Sequence, residues 1–200
     1  MHFMTESATS LREQKRWETS QRITLCAQVL TDEHGLDGFT LEELAEAAEV
    51  SRRTLFNYFP SKLDAVLGEH PEIKPETLAT FIAGGPHGDL IEDLAELARE
   101  ALAAKEADRG SFARVRRIMS ANPRLLAAAH ERFELITEEF TQLLLEREGP
   151  EFGATRSRLL LRLLLALFDS ALFELLDEDQ PRTLAEIFDS LLASARELFA

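Results

Sequence analysis

A chain of 200 residues that is 45% apolar and 29% charged has the make-up of a soluble globular protein, in one domain or two small ones. Its formal net charge of -14 means that it repels anions overall, and its single cysteine, Cys26, rules out an intrachain disulfide framework and has no metal-ligand spacing around it. The opening MHFMTESATS lacks the basic and apolar regions of a secretory signal, and the most apolar run, Leu159 to Leu176, is broken by Arg162, Asp169 and Glu174, so a cytoplasmic protein with no membrane segment is expected.

In chain order the sequence reads as helices, because apolar residues recur every three to four positions and prolines and glycines fall between the periodic stretches. Trp17, Ile23, Ala27 and Leu30 give a first helix from about Ser10 to His34, stopped by Gly35. Thr40 and Glu43 form a capping box ahead of a second helix from Leu41, and Phe39 and Leu44 are spaced for a hydrophobic staple. Ser51 is the next N-cap, and Pro60 ends the third helix at Phe59. Ser61, with Asp64 three residues on, opens a fourth. Breaker-rich stretches, GEHPEIKPE and AGGPHGD, flank a short helical piece between Pro75 and Ala83, and they place a domain boundary after Gly68. Longer helices follow at about Asp89–Ala107, Ser111–Ala121, Pro123–Glu148, Ala154–Leu176 and Pro181–Phe199. An all-α fold of about nine helices is expected, divided into residues 1–68 and 69–200.

The third helix holds the most informative chemistry. SRRTLFNYF, Ser51 to Phe59, carries two arginines and three aromatic rings, and no acid occurs between Glu49 and Asp64. With Arg53 at zero on a helical wheel, Asn57, Thr54 and Tyr58 fall at about 40°, 100° and 140°, and Leu55, Phe59 and Phe56 at about 200°, 240° and 300°. The apolar trio is expected to pack on the first two helices, leaving Arg52, Arg53, Thr54, Asn57 and Tyr58 exposed. Arginine and asparagine bond base edges in pairs, a threonine methyl can meet a thymine methyl, and a tyrosine hydroxyl can bond a phosphate. Only a tight turn fits between Ala48 and Ser51, so two short helices must cross steeply, as in a helix-turn-helix. On periodicity and charge alone, a helical hairpin with a solvated basic face remains an alternative.

GFTLEELAEAAEVSRRTLFNYFPSKLDAV, Gly38 to Val66, resembles the DNA-binding segment of the tetracycline-repressor (TetR) family of transcriptional regulators. The resemblance rests on the Thr40 cap, the Leu44, Ala45 and Ala48 core, Val50-Ser51 in the turn, Thr54-Leu55, the aromatic pair before Pro60, and Ser61-Lys62. Phe56 and Tyr58 depart from it, standing where the family usually has tyrosine and often has histidine. It implies a repressor that binds a pseudo-palindromic double-stranded DNA operator as a homodimer and is released by a small ligand. Position by position, it implies phosphate contacts from Thr40, Ser51, Tyr58 and Lys62, base contacts from Arg52, Arg53, Thr54 and Asn57, and further phosphate contacts from Lys15 and Arg16.

For residues 69–200 the resemblance implies an effector-binding and dimerisation domain. Ala154 to Leu176 is apolar nearly all round and must be covered on more than one side, while the last helix offers one broad stripe. By resemblance these two helices form a four-helix contact between subunits, through Leu164, Phe168, Leu172, Leu184, Phe188, Leu191, Leu192 and Ala195. An effector pocket would be lined by Phe112, Met119, Phe133, Ile136, Phe140 and Leu143, with Arg114, Arg117 and His130 able to meet a carboxylate or phosphate. The ordinary reading of these residues is core aromatics and surface bases. The implied ligand is lipid-like, an acyl-coenzyme A among the candidates.

Rival functions find less support. No GxSxG, P-loop, dinucleotide fingerprint or HExxH occurs, and HERFE at His130–Glu134 lacks a second histidine, so neither an enzyme nor a metal or cofactor site is expected. A protein of the same fold that has lost DNA binding is the other alternative, opposed by Arg52, Arg53, Asn57 and Lys62. Acidity is the main objection to DNA binding, since residues 1 to 70 hold twelve acids against seven bases.

Overall fold

The computed structural model describes residues 3–69, 73–103, 109–176 and 180–199. Among these residues there are ten α-helices, one 3-10 turn and no strand. Four helices form the N-terminal part: α1 (Phe3–His34), α2 (Leu41–Ala47), α3 (Arg52–Tyr58) and α4 (Lys62–Leu67). They are followed by α5 (Pro75–Ile82), α6 (Leu90–Ala103), α7 (Arg109–Ala121), α8 (Pro123–Glu148), a 3-10 turn at Pro150–Phe152, α9 (Ala154–Leu175) and α10 (Leu184–Phe199).

The local signals in the N-terminal part act as their chemistry dictates. Glu43 donates its amide to the Thr40 hydroxyl at 3.1 Å, and the Thr40 amide donates to the Glu43 carboxylate at 2.7 Å, closing the capping box. Phe39 and Leu44, the staple pair, are both buried in one core. At the other end of α2, Val50 N–H reaches Ala45 O at 2.9 Å and Glu49 N–H reaches Glu46 O at 3.0 Å, the Schellman pattern, with Glu49 in the left-handed region at φ 53°. That turn sets the steep passage into α3. Ser51 caps α3 by accepting from the Thr54 amide at 3.0 Å, and Phe59 leaves helical geometry ahead of Pro60 at φ -135°. α10 differs from expectation at its start. It begins at Leu184 rather than Pro181, because Thr183 and Glu186 close a second capping box.

Two compact units result: Met1–His70 with Arg114–Ala129, and Pro71–Ala113 with His130–Ala200. Periodicity alone assigns everything after residue 68 to the second part, whereas Ile118 of α7 and Leu125 of α8 lie in the core of the first unit. That core joins Ile23 and Ala27 of α1, Leu44, Ala45 and Ala48 of α2, Leu55 and Phe59, and Ala65 and Val66 of α4. Each fully buried leucine or isoleucine contributes about 1.5–3 kcal/mol relative to exposure. Where α4 ends, Gly68 has φ 71°, which favours glycine, and a Cβ there would come 3.0 Å from the Thr24 methyl, a tight contact.

The second unit has two apolar clusters. One joins Ala95, Ala171, Leu175, Ile187, Phe188 and Leu192, and the other Phe81, Leu94, Leu97 and Leu144. Beside the latter, the buried Arg147 guanidinium meets the Asp93 carboxylate at 2.5 Å, donates to Phe81 O at 3.0 Å and stacks on the Phe81 ring at 4.6 Å. Asp93 also accepts from the His87 amide at 2.6 Å, so both buried charges are satisfied. Burial works to raise the Asp93 carboxyl, and these hydrogen bonds outweigh it, holding its pKa below the ordinary value. Arg99 ties α6 to α10 through Asp189 at 2.9 Å while pairing with Glu92 and Glu96 on its own helix.

Candidate nucleic-acid interface

α3 is anchored by Leu55 and Phe59, 0% and 3% exposed, one turn apart on the wheel. Their side of the helix fixes which residues point away. Arg52, Arg53, Phe56 and Asn57 are exposed, whereas Thr54 and Tyr58 are half-buried. The outward face is therefore rotated from the expected one. Polarity groups Phe56 with the anchors, but it is 42% exposed and stands in the outward row. Tyr58, expected outside, packs partly against the first core and carries the Arg16 guanidinium over its ring at 5.4 Å. Phe56 and Tyr58 flank the buried centre at similar angles, about 80° to either side. Neighbouring chain, not intrinsic polarity, decides which is covered.

Several side chains expected to meet DNA have intramolecular roles. Lys62 donates from Nζ to Leu36 O and Phe39 O, both at 2.7 Å, and lies 4.7 Å from the Phe39 ring centroid. It pins the α1–α2 connection to the start of α4. Ser51 Oγ serves the α3 cap and shares a 2.7 Å hydrogen bond with Thr54 Oγ1. Thr40 Oγ1 donates to Glu43 at 3.0 Å, and the Thr40 amide, then its hydroxyl, hold the Glu43 carboxyl below its ordinary range. Lys15 and Arg16 are exposed on α1, and Arg16 is the one brought to α3. Arg52 pairs with Glu42 of α2 at 2.6 Å and lies over the Phe56 ring at 5.5 Å. Arg53 and Asn57 complete the outward face.

Two α1 side chains missed in the sequence hold the turn from behind. Arg22 Nε donates to Ala48 O at 2.9 Å, and Cys26 Sγ donates to Ala47 O at 3.4 Å. They cap carbonyls left open at the end of α2. Their spacing, four residues apart on one helix, was the available signal. Burial pushes the Cys26 thiol up despite the nearby Arg22, which suits a packing role rather than a nucleophilic one.

The residues expected to line an effector pocket fall in both compact units: Arg114, Arg117 and Met119 in the first, and Phe112, His130, Phe133, Ile136, Phe140 and Leu143 in the second. Met119 packs against the first core, and Arg117 holds Asp32 in a two-pronged ion pair, 2.5 Å at the shorter contact. That guanidinium keeps Asp32 below its ordinary pKa. Arg114 is half-buried, with Nη1 buried and lacking a hydrogen bond. His130 is exposed and 4.0 Å from Glu134. Phe112 packs against the cluster of α9 and α10, Phe140 and Leu143 against that of Phe81, and Phe133 and Ile136 are half-buried on α8. Among the described residues no group of three or more histidines, cysteines or acids is placed to hold a metal, and no helix is long and apolar enough to cross a membrane.

The residues expected between subunits divide similarly. Phe188 and Leu192 are buried in the protomer's own core, and Leu164, Phe168, Leu184 and Leu191 pack against it. Leu172 and Ala195 are half-buried. A different row of α9 is left outside: Leu159, Leu163, Ala166, Ser170 and Phe173, alternately four and three residues apart, with Leu159 58% and Phe173 63% exposed. This is the spacing of a coiled-coil seam, and its central members are small.

Residues 27–66 match the family model for bacterial regulatory proteins, tetR family. No curated protein sequence matches the chain significantly. Among solved structures, a protein from Mesorhizobium loti assigned as a TetR-family transcriptional regulator matches with a TM-score of 0.52 and 20% identity, covering 90% of this chain and 94% of that one.

Proposed function

We propose that this protein, whose N-terminal segment is that of the tetR family of bacterial regulatory proteins and whose fold is that of a TetR-family regulator, controls transcription by docking α3 in the DNA major groove. One observation carries the reading: the outward face of α3 presents Arg52, Arg53, Phe56 and Asn57 together, on a helix-turn-helix fixed from behind by Leu55 and Phe59. Arg53 and Asn57 supply paired base-edge donors and acceptors, the Phe56 ring can meet a thymine methyl, and Arg16 and Lys15 supply charge at the flank. Thr54, Tyr58 and Lys62 then position this face, through the hydroxyl contact to Ser51, the Arg16–Tyr58 stack and the Lys62 bonds to Leu36 and Phe39. Thr40 and Ser51 contribute as caps.

The active species is a homodimer in which the exposed row of α9, Leu159 to Phe173, meets its copy, placing two α3 helices on half-sites roughly 34–36 Å apart. The sign of regulation is repression, relieved by a largely apolar effector bound in the second unit. Selection of binders from a random duplex pool tests the reading. Enrichment of an inverted repeat with two equivalent half-sites supports it, and a pool that stays random after selection overturns it.

A further inference from the structure

Glu42 stands on the same exposed surface as the arginines of α3. It belongs to α2, yet capping of that helix is performed by Thr40 and Glu43. Its carboxylate reaches across the turn to Arg52, Oε1 to Nη1 at 2.6 Å, and both side chains are more than half exposed. An exposed ion pair of this kind adds little to stability, so fold maintenance is a weak reason for it. On a surface turned toward phosphates, an unneutralised carboxylate would oppose binding. Bound to Arg52 it does something else. It occupies one end, Nη1, of a planar guanidinium whose Cζ lies 5.5 Å from the Phe56 ring centroid, which biases the direction of the remaining N–H donors. A guanidinium so biased suits the paired O6 and N7 acceptors of guanine, and swings out less readily to whichever phosphate is nearest.

We infer that Glu42 is a specificity-determining positioning residue, which holds Arg52 for a guanine edge and suppresses its binding to phosphates. This rests on the major-groove reading above. Glu42→Gln keeps the size and helix position of the side chain while removing the charge.

The experiment compares the wild-type chain with Glu42→Gln, Arg52→Gln and the double variant on the selected duplex and on a scrambled duplex of equal length. Each is titrated over a salt series, with every base pair of one half-site substituted in turn. Glu42→Gln should bind the scrambled duplex more tightly, with a log K against log salt slope steeper by about 1.8, the value of one added phosphate contact from each protomer of the dimer. Its discrimination should drop about tenfold at a single base pair of the half-site. In the Arg52→Gln background, which has already lost preference at that base pair, Glu42→Gln should change nothing there. Unchanged base preference and salt slope in Glu42→Gln would overturn the inference while leaving groove docking intact. So would an effect of Glu42→Gln that persists without Arg52. A wild-type chain that selects no sequence overturns groove docking itself, and this inference with it.

Discussion

Lys62 illustrates how a residue suited by type to one task can carry a second one in the fold. A lysine at the start of α4 beside a helix-turn-helix suits a phosphate contact, and two backbone carbonyls 2.7 Å from its Nζ also accept two of its three N–H bonds. Their residues, Leu36 and Phe39, cannot be read from the motif around Lys62. Phe56 and Tyr58 carry the same lesson in reverse, because polarity suggested one inside and one outside and packing exchanged them. Arg53 is the residue whose exposure and chemistry agree. If it reads a base, Arg53→Ala should cost roughly 1–3 kcal/mol on the selected duplex and relax preference at one position of each half-site. Competition binding against point-substituted duplexes checks this, and equal weakening on every sequence would reassign Arg53 to the phosphates.

At the scale of elements, the signals that worked were those acting within one helical turn. The Thr40–Glu43 box, the Ser51 and Ser61 caps and the stop before Pro60 were all legible, since cap and partner lie three residues apart. Pro181 misled because a capping box at Thr183 competes with it. The Asp93–Arg147 pair joins α6 to α8 across 54 positions and has no local signature. Asp93→Ala would leave the buried Arg147 with Glu148 and two backbone carbonyls but without its buried counter-charge, at a cost of about 3 kcal/mol, and Asp93→Ala with Arg147→Met should cost less than the single changes summed. Urea denaturation of the three variants measures both statements, and full additivity would count against a coupled pair. α9 offers a second test. Leu163 is the second member of its exposed row, 43% accessible, so Leu163→Glu should shift the protein from dimer to monomer in sedimentation while its helical circular dichroism is kept. A dimer that survives the substitution would place the subunit contact elsewhere.

For the whole molecule, the net charge of -14 shapes both binding and stability. Screening over about 8 Å at physiological salt lets a phosphate respond mainly to the nearby Arg53 and Arg16, while distant acids oppose indiscriminate binding. With Lys15 and Arg16 of each protomer on phosphates, about four contacts in the dimer, log K should fall with log salt at a slope near -4, and a slope near zero would contradict groove docking. The carboxylates set the acid limit. Asp32, Glu92, Asp93 and Glu138 all have pKa values below the ordinary range, Asp32, Glu92 and Glu138 chiefly through arginine hydrogen bonds and Asp93 through the His87 amide and Arg147 against its burial. The unfolded chain therefore takes up their protons first, at about pH 4. Stability from these groups should be complete above that pH and lost as pH falls through 4 and below, visible as a falling urea midpoint; a midpoint constant from pH 7 to pH 3 would refute this.

The sequence by itself determined that the chain is helical, where most helices start and stop, and that two short helices after Gly38 form a helix-turn-helix with a basic third helix. Those features follow from interactions between residues a few positions apart, which a pattern of caps, breakers and periodic apolar residues records. Tertiary structure alone decided which side of α3 faces out, that Lys62 serves the fold, that Glu42 meets Arg52, and that Arg114–Ala129 joins the first unit. Burial of a side chain and the partner of a charge depend on segments brought together from afar. Lys62 and Leu36 are 26 residues apart and Arg117 and Asp32 are 85, distances over which no local pattern carries information.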